Sequence, residues 1–179
     1  SNSNGIFLRT SSNNNTLTSN IANSNYNGIY LYSSSSSNTL TSNTVNSNGN
    51  SGIYLYVSSN NNTLTNNTAN SNYVGIYVRT SSNNILIGNI VTGNIANSND
   101  GGILLSSSSK NILINNTANF NVFGISLMSS SNNNTLTNNT ANSNTNTGIY
   151  LTMSNSNNIL TSNIANFNSY SGIGLAFSS

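Results

Sequence analysis

The sequence contains no cysteine, histidine, proline, tryptophan or glutamate, and its 179 residues carry only four charged side chains: Arg9, Arg79, Lys110 and Asp100. Each absence removes a class of chemistry. Without Cys there is no disulfide framework, and without His or Cys no thiolate or imidazole can hold a soft metal. Met128 and Met153 stand at non-equivalent places in the pattern described below, so they do not make up for that loss. One carboxylate cannot supply the pair used in glycoside hydrolysis, or a carboxylate-bound Ca²⁺ beside a basic residue. Asp100, next to Gly101 and Gly102, reads as a turn residue. No cofactor is expected.

Three scattered cations form no basic patch, which excludes a nucleic-acid backbone as partner. No apolar run approaches the roughly 18 residues needed to span a bilayer. The chain opens on Ser1 rather than a methionine, which points to processing or to a piece of something longer. Ordinary soluble domains are about a quarter charged. Here the figure is 2 %, and Ser, Asn and Thr supply the polarity instead. Such a bias alone would suit a disordered tract, but the apolar residues fall at fixed positions, and that argues for order.

What is present is a repeat. Gly-Ile-x-Leu (or Val) opens at Gly5, Gly28, Gly52, Gly75, Gly102, Gly124, Gly148 and Gly172, in steps of 23, 24, 23, 27, 22, 24 and 24 residues. A fixed period of this size is the mark of a solenoid. The two apolar residues sit two apart, so on a strand they face the same way. They predict an interior ladder with two rails. One is Ile6, Ile29, Ile53, Ile76, Ile103, Ile125, Ile149 and Ile173; the other is Leu8, Leu31, Leu55, Val78, Leu105, Leu127, Leu151 and Leu175. The outward positions between and after them often hold Tyr, at Tyr30, Tyr32, Tyr54, Tyr56, Tyr77 and Tyr150. The leading Gly suits a tight corner into the strand.

Eleven or twelve residues after each of the first seven glycines comes a second anchor, as at Leu17, Leu40 and Leu64. Its neighbours are Thr16 and Thr18, Thr39 and Thr41, Thr63 and Thr65, and Thr135 and Thr137 in four copies, with Ile at 85, 87, 112, 114 and 159 in the others. Alternation places the Leu inward and the Thr outward. Three residues beyond each Leu is an Asn: Asn20, Asn43, Asn67, Asn89, Asn116, Asn139 and Asn163. Asn suits a bend, and identical amides stacked once per coil can form a hydrogen-bonded ladder. A small apolar residue follows two positions later, except in the 27-residue step, where the duplicated Gly88-Asn89-Ile90 and Gly93-Asn94-Ile95 delay it and suggest a bulge.

Three short strands per repeat make a three-faced coil. The expectation is an all-β parallel solenoid of about 7.5 coils, 22–24 residues each with one of 27, over a single domain spanning 1–179. At about 4.8 Å per coil the rod is roughly 35 Å long. The density of Asn, Ser, Thr and Gly excludes an α-solenoid.

In runs such as Leu64-Thr65-Asn66-Asn67-Thr68-Ala69 followed by Gly75-Ile76-x-Val78, the sequence resembles the NosD-type repeats of archaeal and bacterial surface and secreted proteins. The resemblance implies a right-handed parallel β-helix. It carries little about function, because the fold hosts enzymes, binding proteins and passive stalks.

From scarce charge and uncapped ends, the expected role is a non-enzymatic structural component of an extracellular or cell-surface assembly (filament, sheath, surface layer or stalk). Its expected partners are copies of itself, other surface proteins or glycans. The alternatives are an ice-binding surface on the Thr rows (Thr16, Thr18, Thr39, Thr41, Thr63, Thr65) and a carbohydrate or adhesion surface on the Tyr column (Tyr30, Tyr32, Tyr54, Tyr56, Tyr77). Sequons at Asn14, Asn61, Asn66, Asn115, Asn133 and Asn138 permit N-glycosylation.

Overall fold

The computed structural model describes residues 1–94, 101–153 and 155–176. With strands numbered in chain order, β1 (Asn4–Arg9), β3 (Asn27–Tyr32), β5 (Ser51–Tyr56), β7 (Val74–Arg79), β10 (Gly101–Ser106), β13 (Phe123–Met128), β15 (Thr147–Thr152) and β17 (Ser171–Ala176) form an eight-stranded sheet in that order. A seven-stranded sheet runs β2 (Thr16–Thr18), β4 (Thr39–Thr41), β6 (Thr63–Thr65), β8 (Ile85–Ile87), β11 (Ile112–Ile114), β14 (Thr135–Thr137) and β16 (Ile159–Thr161). Every pairing is parallel and joins equivalent positions of successive repeats, as Ile29 with Ile53 and Ile53 with Ile76. The chain is a parallel β-helix.

The third face is thinner than three strands per coil would make it. Only β9 (Ile90–Thr92) and β12 (Thr117–Asn119) pair there as strands, and the other described coils contribute single bridges, such as Thr44 with Thr68. Its hydrogen bonds continue all the same, with Val45 N–H donating to Thr68 O at 2.8 Å and Ser47 N–H to Asn70 O at 3.0 Å, so the coil stays closed.

One apolar cluster fills the coil, built from the long sheet's two rails, the central Leu of the short sheet, and Ala22, Val45, Ala69, Val91, Ala118 and Ala141 from the third face. On the first rail Ile29, Ile53, Ile76, Ile103, Ile125 and Ile149 are buried. On the second, Leu8 pairs with Leu31, Leu31 with Leu55, Leu55 with Val78, Val78 with Leu105, and Leu105 with Leu127, which in turn pairs with Leu151. All seven of these are buried too, with Leu8 the least covered because it lies in the first coil.

The ladder departs from expectation at its two ends. Ile6 is only partly buried and packs on the edge of the cluster, while Ile173 and Leu175 are exposed rather than interior. Each lies in a terminal strand of the sheet, so a neighbouring coil covers it from one side alone.

The repeat glycines act by close approach rather than by unusual backbone. A Cβ on Gly52 would lie 2.7 Å from Gly75 O and 2.8 Å from Asn72 Nδ2, inside the wall of the next coil. The small apolar place after Asn89 is not delayed by the insertion: Val91 fills it, paired with Ala118, while Ala96 and Asp100 lie outside the described residues.

Buried amides turn the corners. Asn20, Asn43, Asn67, Asn89, Asn116, Asn139 and Asn163 form a chain in which each Nδ2 donates to the next Oδ1 at 2.9–3.0 Å. An Oδ1 in this chain also accepts the backbone N–H of the preceding coil's Asn, as Asn67 Oδ1 does from Asn43 at 2.9 Å. Two further ladders flank it at five-residue offsets. One runs Asn15, Asn38, Asn62, Asn84, Asn111, Asn134, Asn158. The other includes Asn48, Asn72, Asn94, Asn121 and Asn144, and Asn72 Nδ2 is the one buried amide among the described residues left without a partner. Residues with positive φ precede the ladder Asn at these corners, as at Ser37, Ser42 and Ser47. Corners of this kind, several per coil, account for a composition rich in Asn and Ser. Asn tolerates that backbone best after Gly, and short polar side chains can bond locally to support it.

Candidate functional site

The long sheet presents two adjacent outward rows. In the first, Phe7, Tyr30, Tyr54 and Tyr77 stack coil upon coil, with ring centroids 5.1, 5.0 and 4.8 Å apart and planes within 9–11° of parallel. The second row is Arg9, Tyr32, Tyr56 and Arg79, in register with one another. Tyr54 and Tyr56 stack across the rows at 5.3 Å, and Tyr32 lies 5.8 Å from Tyr56. Each end of the patch carries a cation. The Arg79 guanidinium sits 5.0 Å over the Tyr56 ring, and that of Arg9 sits 5.8 Å over Phe7. Both arginines are exposed.

Packed this closely, the rings cover one another's faces. They offer a ligand their edges and phenol oxygens rather than a flat platform. Burial pushes the Tyr30 hydroxyl up to about 12, helped by the neighbouring phenols, chiefly Tyr54. Burial likewise pushes Tyr54 up to about 12, although its hydrogen bond with Arg79 pulls the other way. That same bond raises Arg79 further above its ordinary range. Tyr30 and Tyr54 are therefore neutral phenol donors at physiological pH, in a patch flanked by the guanidinium groups of Arg9 and Arg79.

Behind these rows, on the opposite face of the same strands, stand Leu8, Leu31, Leu55 and Val78, with Leu105 and Leu127 further along. Sealed inside the coil, they hold the strands in place and reach no ligand. The outward ring row ends at Leu104, which packs with Val74, Tyr77 and Met128. Ser126 comes next, buried and with its Oγ unpartnered. Beyond them Tyr150 stacks on Phe123 at 5.5 Å. Met128 thus belongs to this outer cluster, whereas Met153 is exposed at a positive-φ corner.

Thr16, Thr18, Thr39, Thr41, Thr63 and Thr65 lie outward on the short sheet, in columns that continue into Ile85 and Ile87 and then Ile112 and Ile114. The structure does not bring them together with the tyrosines. All six sequon asparagines are exposed corner residues with positive φ.

Reading the outward positions for Tyr alone misses Arg9, Arg79 and Phe7. The signal that finds them is the period itself, since Arg9 stands 23 residues before Tyr32 and Arg79 stands 23 after Tyr56.

No curated protein matches the chain. Solved structures do. The periplasmic alginate epimerase AlgG superimposes with a TM-score of 0.73 at 21% identity, over 98% of this chain and 47% of that one. The A-module of Azotobacter vinelandii mannuronan C-5 epimerase AlgE6 gives 0.64 at 18% identity, over 98% and 48%. The AlgE4 A-module from the same organism gives 0.60 at 14% identity, over 89% and 57%. The chain spans about half the length of these proteins.

Identities this low speak for the fold. They nevertheless overturn the expectation of a non-enzymatic structural component of a surface assembly, because the β-helices resembled here are epimerases. The non-enzymatic half of that expectation rested on missing carboxylates and histidines. Their scarcity bears on hydrolysis and Ca²⁺-dependent lysis, not on every reaction a β-helix hosts, and the count covers a chain only half as long as these enzymes.

A family described as a right-handed β-helix region matches residues 1–91 and 74–179, and so sets the hand of the coil as well as its architecture. The chain belongs to the right-handed β-helix family.

Proposed function

We propose that this chain is the polysaccharide-holding part of a carbohydrate-active β-helix protein, and that the Tyr/Arg patch of the long sheet grips an acidic glycan. The observation that carries the reading is the row Arg9–Tyr32–Tyr56–Arg79 beside the ring stack. Arg9 and Arg79 stand three coils apart, roughly 14 Å at the inter-strand spacing. A uronate carboxylate at each end pairs with a guanidinium. Between them the phenols of Tyr32 and Tyr56 donate to sugar hydroxyls. The sequence has one carboxylate in all, so almost nothing on the protein repels a polyanion.

The neighbours named for alginate and mannuronan support this substrate class, and the periplasmic one supports a location outside the cytoplasm, at the cell surface or secreted. The Leu-x-x-Asn runs followed by Gly-Ile-x-Val support placing the repeats in the NosD-type group.

Titration calorimetry with alginate, and with uncharged dextran as control, tests the reading. Alginate should bind more tightly than dextran, and more weakly as salt rises. Arg9→Ala/Arg79→Ala should lose at least tenfold in affinity, since each charge-assisted hydrogen bond is worth about 1.5–3 kcal/mol. Equal binding of the two polymers, or an unchanged affinity in the double variant, would refute it.

A further inference from the structure

We propose that the corner amides of Asn14, Asn61, Asn66, Asn115, Asn133 and Asn138 carry N-linked glycans, in two rows that bracket the short sheet. The chain is crowded with asparagines, and the fold sorts them. The ladder asparagines are hydrogen-bonded from coil to coil and buried through the middle of the rod; Asn67, for example, donates to Leu40 O and Asn89 Oδ1. Each of the six corner asparagines immediately precedes a ladder Asn, has positive φ and is exposed. At five of these corners, then, the residue that the acceptor motif selects is the most exposed of the neighbouring asparagines; at the sixth, in the first coil, Asn13 and Asn15 are exposed as well as Asn14.

The placement is regular. Asn61 and Asn66 stand at the two ends of β6, and Asn133 and Asn138 at the two ends of β14. Asn14 joins the first row beside β2, and Asn115 joins the second beside β11. The face so bracketed exposes Thr and Ile and carries no charge in its strands. Attached glycans would supply the hydration that charge normally provides. The Tyr/Arg patch, on the other sheet, stays open, and the proposal does not depend on what that patch binds.

The motif's threonines are not demanded by the fold. Thr68, Thr117 and Thr140 share an outward column with Ile21, Ile90 and Ile164, and Thr16, Thr63 and Thr135 share one with Ile85, Ile112 and Ile159. On the third face every corner Asn has Thr two residues on, whereas of the other corners Ser19, Gly88 and Ser162 have Ile and Ser42 has Thr; before the short sheet, the corner residues Asn83 and Asn157 have Ile and fall outside the motif.

The transfer joins Asn Nδ2 to C1 of an oligosaccharide carried on a polyprenyl diphosphate. The C1–O bond breaks, the lipid diphosphate leaves with the electron pair, and the amide proton passes to a base of the transferase.

The test is mass spectrometry of the full chain isolated from its own cells. Chymotrypsin is the protease of choice, because three Lys/Arg residues give trypsin little to cut. Electron-transfer fragmentation should place sugar mass on corner asparagines and on none of the ladder asparagines. Thr68→Val should remove the mass from Asn66, while Thr65→Val, in the same coil but outside the motif, should leave it. Both variants keep a β-branched outward residue and should unfold at the wild-type temperature once sugars are trimmed. Six bare corner asparagines, sugar on a ladder residue such as Asn67, or sugar retained on Asn66 in Thr68→Val would each overturn the proposal.

Discussion

Asn66 and Asn67 are adjacent and chemically identical, yet the fold assigns them opposite stakes. The Asn67 side chain makes four hydrogen bonds. It accepts from Asn43 N–H and Asn43 Nδ2, both at 2.9 Å, and donates to Leu40 O at 2.9 Å and Asn89 Oδ1 at 3.0 Å. In Asn67→Ala three of the four partners keep other bonds. Asn43 Nδ2 still reaches Leu17 O and Asn89 Oδ1 still accepts Asn67 N–H. Leu40 O, in the middle of β4 and paired in register with β6, keeps its sheet bonding, so the Asn43 N–H is the one group orphaned, in a corner closed to water, at a cost of about 1–3 kcal/mol. For a chain of this length that lowers the unfolding temperature by roughly 2–12 °C. Asn66→Gly removes no hydrogen bond of the side chain and places Gly where φ is +53°, a backbone that Gly adopts freely. Gly88 already occupies the same corner one coil on. Its effect should stay within about 1 kcal/mol. Urea titration and thermal melting followed by far-ultraviolet circular dichroism measure both variants. Comparable losses, or an Asn67→Ala variant within about 1 kcal/mol of wild type, would mean that the ladder does not stabilise the coil as its geometry requires.

Ile76→Asp puts an unpaired charge at a fully buried position and should leave little folded protein at room temperature, by circular dichroism. Tyr77→Ser, one residue on, loses a stacked ring and should cost only about 0.5–1.5 kcal/mol beyond its buried area, so equal melting shifts for the two would invert the assignment of faces. Gly52→Ala drives a methyl to 2.7 Å from Gly75 O and should destabilise more than Gly49→Ala, whose nearest neighbours lie at 3.9 Å; the reverse order in urea would refute the close-approach argument. Tyr30 and Tyr54 have folded pKa values raised from 10.0 to about 12, so the unfolded chain loses those protons first. Their contribution to stability is fully present below the unfolded value and is lost as pH rises from there towards 12. Phenolate absorbance should show two tyrosines ionising late, and melting temperature should fall across that window; a rise there would contradict the burial.

The sequence by itself determined the coil. In a parallel solenoid, residue i lies over its equivalent one period later, so a spacing of 22–27 residues is at once a repeat and a register, and Ile29 lands beside Ile53 without further information. The alternation of Ile and Leu with Tyr needs nothing beyond the two-residue strand period, and it put Leu31, Leu55, Leu105 and Leu127 inside correctly. It could not tell that Ile173 and Leu175 stay exposed, because alternation names the inner face of a strand while burial also needs a coil on either side. The two further Asn ladders were equally present in the letters, at five-residue offsets. Whether an Asn points into the coil or out of it, however, depends on the positive-φ residue before it, and among so many asparagines composition does not mark that residue.

The tertiary structure alone decided how the rings lie. Outward Tyr at coil spacing suits either a platform for sugars or a self-satisfied stack, and only packing across coils chooses the stack, leaving phenol edges between Arg9 and Arg79 as the surface available to a ligand. It also separated the Thr rows from the Tyr rows by placing them on different sheets, and it thinned the third face to bridges. The role as a passive structural part was an inference from scarce charge, uncapped ends and missing residue types. Such an inference fails for a physical reason, since a fold constrains shape while a reaction depends on a few groups at one place on it.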